Sequence, residues 1–467
     1  MVFDPVLLSR VQFAFLVSYH IVFPAFTIGL AAWLATIEGA HLATGDPRYR
    51  RVFDFWLKVF SLSFGMGVVT GIVMAFQFGT NWGVLSTRMG AIQGPLLGYE
   101  AFTAFLLEAS FFGVMLLGRE RVSPRFYFFA CSMVAVGTLF SSFWILANNT
   151  WMQVPLGYSM VAGKIIPADW WTITTGPMMR VRWPHMVLGA FLTTGMSVIA
   201  TGAWYLLRGV HRAEGRLMLH WGLGLVAVLI PLQLYVGHLT GLAVHAHQPE
   251  KFAAIEARWQ TQQPASEVLF AIPDEARERN RYALAIPRLG SYIGTGTWDS
   301  REIGLTSIAA ADRPPVAIPF FTFRLMVGMG LVILAVAWWG NWLRWRGRLE
   351  TTRWFLWCAL LAFPSGFLAV LAGWFTAEVG RQPWVVYHLL RTADAVTPAL
   401  TGGMVLSSLL IYLAVYSVLG AFGVRYIYQV LRVGPTGEDG GPPGTKAGRP
   451  LALAPEIEAI RRSDAPG

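Results

Sequence analysis

Apolar residues in this chain come in long runs rather than in alternation. Nine stretches, at roughly 10–36, 53–79, 94–117, 125–147, 184–207, 217–238, 318–343, 355–377 and 399–426, each lie near or above the ~20 residues that a helix needs to cross a bilayer. Polar and charged residues gather between them, so the pattern predicts an all-α polytopic membrane bundle of about nine transmembrane helices. The first run is expected to stay as a span, because it is too long for a signal-peptide core and lacks a small-x-small cleavage site. The organisation read from this pattern is helices one to six over 1–238, a long loop over 239–317, helices seven to nine over 318–432, and a tail over 433–467. The tail, GPTGEDGGPPGTKAGRP onward, is rich in Gly and Pro and is expected to be a disordered extension.

Composition agrees with the pattern. Of 467 residues, 55% are hydrophobic and 13% charged, and the mean hydropathy is +0.51; no single water-soluble core buries that much apolar surface. The net charge of +10 could suggest nucleic acid, but its distribution argues against that. Arg48, Arg50 and Arg51 follow span one, Arg119, Arg121 and Arg125 follow span three, Arg208, Arg212 and Arg216 follow span five, and Arg344, Arg346, Arg348 and Arg353 follow span seven. These loops share one side, so the positive-inside rule places the N-terminus outside and the C-terminus in the cytoplasm. Cys131 and Cys358 sit inside apolar runs with no CxxC or CxxCH context, which leaves a disulfide framework, a thiolate zinc site and a c-type haem without support.

Against this background the polar residues inside the spans carry information, since an ionisable group in a bilayer is costly and is usually kept for function. Residues 373–384, GWFTAEVGRQPW, deliver Glu378 and Arg381 at the outer end of span eight. At ~1.5 Å per residue, His20 lies about 14 Å, Glu100 about 9 Å and Met326 about 12 Å in from the same side, where His185 begins span five. Taken singly, each has a structural reading: a histidine capping a carbonyl, a packed methionine, an interfacial ion pair. Taken together, two histidines, two carboxylates and a methionine at one depth suit haem iron better than copper, which prefers clustered imidazoles. His245 and His247 form an HxH in the loop and are expected at a polar surface. Glu108 lies two turns below Glu100 and extends a proton ladder, with Lys58 and Ser141 as further candidates; Ser141 is expected to bond its own backbone instead.

Seven motifs then give the chain a family likeness: SRVQFAFLVSYH (9–20), GVVTGIVMAFQFGTNW (67–82), YEAFTAFLLEASFFG (99–113), WILANNTWMQVP (144–155), EKFAAIEARWQTQ (250–262), FRLMVGMG (323–330) and GWFTAEVGRQPW (373–384). In their order and spacing the chain resembles subunit I of the cytochrome bd-type quinol oxidases over nearly all of 1–430. The resemblance implies that His185 and Met326 ligate a low-spin haem b, and that His20 and Glu378 ligate two high-spin haems, a haem b and either haem d or a further haem b. Glu100 would lie beside them, and Arg324 and Arg381 would neutralise propionates. It implies that Lys251 and Glu256 meet quinol, ubiquinol or menaquinol, on the outward loop, and that Glu100 and Glu108 deliver protons. It further implies a homologous subunit II, a small single-span subunit, O2 as oxidant, and a place in the lipid of the bacterial cytoplasmic (inner) membrane. Two departures stand out: GHLTG places His238 where many relatives have an acid, and the loop is short, as in the branch that includes cyanide-insensitive oxidases. The expected activity is quinol oxidation outside and oxygen reduction to water with cytoplasmic protons, building a proton motive force without pumping. The rivals are a haem b subunit of a quinone oxidoreductase that never touches oxygen, and a non-redox transporter.

Overall fold

The computed structural model describes residues 4–436. Among these, nine helical spans are long and apolar enough to cross a membrane: Pro5–Thr44, Pro47–Thr80, Gly83–Leu117, Pro124–Gln153, Trp170–Arg208, Arg212–His247, Ala317–Trp345, Arg353–Val379 and Gly402–Val433. They overlap the nine apolar runs, and some extend well beyond them: span five begins at Trp170, ahead of the expected 184, and span six continues past the expected boundary at 238 to His247. The sixth loop therefore begins at Gln248. The expected disordered tail lies outside the described residues beyond Thr436.

Several spans are broken, and the breaks have chemical causes. Span one is two helices, Pro5–Ile21 and Pro24–Thr44; Pro24 has no N–H to continue the ladder, so the chain turns directly after His20. Span eight divides as Arg353–Leu361 and Ser365–Val379 around Pro364. Span three carries a π-helical turn, Glu100–Phe105, between two α-helical pieces. Such turns are frequent at functional sites.

One apolar core joins spans one, two, four, five and nine through Leu30, Leu34, Phe53, Phe60, Tyr127, Tyr205 and Val430. A second joins spans five to eight through Met196, Leu223, Ile333 and Phe355. At the end of the bundle that carries the long loop, Trp82, Trp151, Ile173 and Val386 form a third. Three two-stranded hairpins lie outside the spans among the described residues. The long loop is a folded unit. A short helix, Pro249–Ile255, precedes an antiparallel hairpin of Glu267–Asp274 and Arg279–Ile286, and Ala253, Ala254, Trp259, Ala271, Leu305 and Phe320 form its own core.

Candidate functional site

The helix break at Pro24 leaves His20 in the last turn of its piece, facing span two. The Thr70 hydroxyl donates to the Met66 carbonyl at 2.8 Å, so it meets His20 Nδ1, 2.9 Å away, as an acceptor. That assigns the proton to Nδ1 and leaves the Nε2 lone pair free for a metal, the usual outer-shell arrangement for a ligating imidazole. A Cβ built on Gly71 would stand 3.1 Å from His20 Cε1.

The same device recurs twice. His185 follows Pro184 in span five, its buried Nδ1 has no hydrogen-bond partner among the described residues, and a Cβ on Gly237 of span six would come within 3.2 Å of its ring. Met326 of span seven points its sulfur at Gly373 of span eight, where a Cβ would lie 2.9 Å from Sδ. Three candidate iron ligands thus each face a glycine on a neighbouring helix, and all three glycines belong to spans that sit beside the ligand's own.

Glu378 ends span eight in a buried polar cluster. Its Oε1 accepts from Asn149 Nδ2 and Gln153 Nε2, both at 3.0 Å, and its Oε2 pairs with Arg381. Asn149 and Gln153 are one turn apart on span four, so one helix face supplies both amides. Gln153 Oε1 in turn accepts from Lys251, which also donates to Gln248 Oε1 at 2.7 Å. Lys251 is 2% exposed; burial first, then Arg182 and Arg381 nearby, holds its ammonium well below the usual lysine range. Three basic side chains, Arg182, Arg381 and Lys251, therefore share this pocket with one carboxylate, and Nε and one terminal nitrogen of Arg381 are buried without a partner among the described residues. Buried charge of one sign calls for a counter-charge. The residues fit an anionic prosthetic group, and haem propionates are such groups.

On the loop side, Glu256 is 3% exposed and lies 3.5 Å from Arg324, which is 3.6 Å from Glu267. Burial first, and then the neighbouring Glu256, push the Glu267 carboxyl up to about 9. Arg324 stacks on Phe320 and donates to the carbonyls of Ile255, Val268 and Leu269. Its guanidinium is committed to holding the loop, in contrast to the propionate role expected of it. Lys251 and Glu256 are likewise not on a water-facing stretch, and His245, expected at the surface, bonds the buried Glu302 at 2.8 Å.

In span three the π-turn takes up an extra residue, which rotates Glu108 back toward the face of Glu100. Ser141 donates to Glu100 Oε1 at 2.9 Å instead of to its own backbone, and Glu108 packs on Gly137. Gly137 and Ser141 are one turn apart on span four, so both glutamate side chains meet the same face of that helix. Glu108 is buried, and its Oε1 has no partner among the described residues.

Sequence reasoning missed Arg182, Asn149, Gln153 and Glu267. The signal for Asn149 and Gln153 was present, two amides spaced by four within an apolar helix; Glu267 carried none, because only the hairpin brings it to Glu256. Among the described residues no group of three or more His, Cys, Asp or Glu is arranged to hold a bare metal ion. The donors instead stand singly on different helices, which suits iron already held by a porphyrin.

The comparisons agree with this chemistry. A family model described as cytochrome bd terminal oxidase subunit I matches residues 8–435. The chain is 34% identical over 442 residues to the cytochrome bd ubiquinol oxidase subunit 1 of Bacillus subtilis (strain 168), covering 91% of this chain and 93% of the relative. It is 32% identical over 503 residues to the cytochrome bd-II ubiquinol oxidase subunit 1 of Escherichia coli (strain K12), covering 93% and 97%. Its fold is similar to the solved structure of the bd oxidase from Geobacillus thermodenitrificans, with a TM-score of 0.85, 27% sequence identity, and coverage of 92% of this chain and 99% of that one.

Proposed function

Since the chain belongs to the cytochrome bd terminal oxidase subunit I family, and is thus a multi-pass bacterial inner-membrane component of a quinol:oxygen oxidoreductase, we propose how its own residues divide that work. His185 and Met326 hold a low-spin haem b. His20, through Nε2, and Glu378 hold two high-spin haems, a haem b and either haem d or a further haem b. Bound there, haem supplies iron that takes electrons from quinol and passes them to oxygen. Arg381, Arg182 and Lys251 receive propionates, and the negative charge of Glu378 offsets that of ferric iron.

The folded loop is the quinol site and faces outward, with the N-terminus outside and the C-terminus cytoplasmic. Glu256 accepts protons released by quinol there, Arg324 organises the loop around it, and Lys251 lies where the quinol site meets the Glu378 cluster. Protons that make water rise from the cytoplasm past Glu108 and Glu100, with Ser141 orienting the latter. Releasing protons on one side and consuming them from the other builds a proton motive force without a pump. A homologous subunit II completes the enzyme, with a small single-span subunit beside it, and quinol, ubiquinol or menaquinol, and O2 are its substrates.

The observation that carries the reading is the trio of glycines, Gly71, Gly237 and Gly373, that keep His20, His185 and Met326 clear of neighbouring helices. The test is haem quantification per polypeptide, with carbon monoxide difference spectra, in His20→Ala and Glu378→Ala. Each variant is expected to lose high-spin haem or its carbon monoxide response. Full haem stoichiometry and normal carbon monoxide binding in both would refute the ligand assignment, and a flat carbon monoxide spectrum in the unaltered complex would refute the oxygen site.

A further inference from the structure

Glu256 and Lys251 face opposite ways, so the quinol side of the loop has a carboxylate but not the cation that sequence reasoning paired with it. Arg258 stands there instead. Its side chain is 3% exposed, yet Nε and both terminal nitrogens lack a hydrogen-bond partner among the described residues. Glu302 forms an ion pair with it at 3.6 Å, beyond hydrogen-bond reach, and takes its hydrogen bond from His245. Five donors in a rigid fork, buried and unsatisfied, call for an acceptor.

Arg258 lines a cavity of ≈ 220 Å³ together with Glu256, Trp259, Gln262, Val268 and Asn280. That is several times the ~30 Å³ share of one water. The backbone is bent to build it: Ala257, between Glu256 and Arg258, has φ +46°, a left-handed conformation that costs a non-glycine residue energy and tends to persist at functional sites. Asn280 holds the bend, donating to the Ala257 carbonyl and accepting from Trp259 Nε1, both at 2.9 Å. The strand Glu267–Asp274 that borders the cavity also exposes Leu269, Phe270 and Ile272, an apolar track beside a polar pocket.

We infer that Arg258 is the head-group donor of the quinol site, bonding one ring oxygen while Glu256 accepts the proton of the other and the apolar strand carries the isoprenoid tail. The inference rests on the reading of the folded loop as the quinol site. Oxidation removes two protons and two electrons from the ring: Glu256 takes one proton, the proton of the oxygen held by Arg258 passes to water at the open mouth of the cavity, and the electrons go to the oxygen reduction of the established reaction. Arg258 stays protonated throughout and only donates.

The test uses the purified oxidase complex with a short-chain ubiquinol, in Arg258→Leu, Lys251→Met and Glu256→Gln. Arg258→Leu is expected to raise KM for quinol about tenfold or more, the effect of losing a charged hydrogen bond, with haem spectra and oxygen uptake from an artificial one-electron donor unchanged. An unchanged quinol KM in haem-replete Arg258→Leu overturns the inference, and water then fills the cavity. If KM rises only in Glu256→Gln, the quinol reading survives and the role of Arg258 fails. If KM moves in neither, both fail. Should Arg258→Leu not assemble with haem, Arg258→Gln replaces it with the same expectation.

Discussion

At the scale of single residues, the site depends as much on missing side chains as on present ones. Met326 should tolerate an obstruction at Gly373 by swinging aside, because the atom that a new Cβ would meet is the end of a flexible chain. Gly373→Val is therefore expected to give folded protein with a diminished or shifted low-spin haem band. Met326→Leu, which offers iron no sulfur lone pair, is expected to lose that band or lower its potential while high-spin carbon monoxide binding persists. A redox difference spectrum that matches the unaltered protein in both variants would remove Met326 from the ligand set. Glu267 gives a pH prediction. Its folded-state carboxyl is raised to about 9 by burial and by Glu256, so the folded loop binds more protons than the unfolded one between the ordinary glutamate range and pH 9. Its stabilising contribution is full below that range and is lost as pH rises through about 9. Protection factors of amides in 256–268, with the base-catalysed intrinsic exchange rate divided out, are expected to fall from pH 7 to 9.5 in the intact complex, and much less in Glu267→Gln. An equal fall in both would show that another group sets the limit.

Elements explain which parts of the site could be read in the sequence. The nine spans were legible because a bilayer demands long apolar runs, and Pro24 marked the break that sets His20. The loop was not, because its hairpin keeps Tyr282, Leu284 and Phe270 exposed and so lacks the alternation that betrays a half-buried strand. Helical geometry also separates residues that look paired. Lys251 and Glu256 are five apart, about 140° around a helix, so they address the Glu378 cluster and the cavity respectively. For Glu100 and Glu108 the effect is reversed, since a π-turn that no residue pattern announced brings them onto one face. If that face is the proton route, Glu108→Gln is expected to slow turnover at least tenfold, and Ser141→Ala to slow it less, since it removes only an orienting bond to Glu100. Proton uptake followed after flash-initiated oxygen reduction measures both. Normal uptake in Glu108→Gln would instead mean a neutral carboxyl acting as a hydrogen-bond donor, a role that glutamine can fill.

Across the whole molecule, the loop that carries Lys251 and the Glu378 cluster are joined through the Gln153 side chain. Gln153 accepts from Lys251 and donates to Glu378, so a change in charge at Lys251 is felt at Glu378 through a buried amide rather than through water, where it would be screened. Glu256 has no such link; its partners, Arg324 and Glu267, hold the loop. The two residues, although both implied at the quinol site by family resemblance, should therefore fail differently. Glu256→Ala is expected to depress quinol oxidation severalfold while oxygen uptake from an artificial reductant and the haem potentials stay normal. Lys251→Met is expected to impair quinol oxidation too, and in addition to shift the midpoint potential of the haem assigned to Glu378, because a propionate beside Lys251 would hold it protonated against its burial and the substitution removes that charge. Removing positive charge beside iron favours the ferric state, so the shift is expected to be downward. Gln153→Leu in the Lys251→Met background should add little further, since the connection is already broken. Redox titration of the three variants separates the two behaviours, and identical potentials in Lys251→Met and Glu256→Ala would mean that the loop and the Glu378 cluster are electrostatically independent.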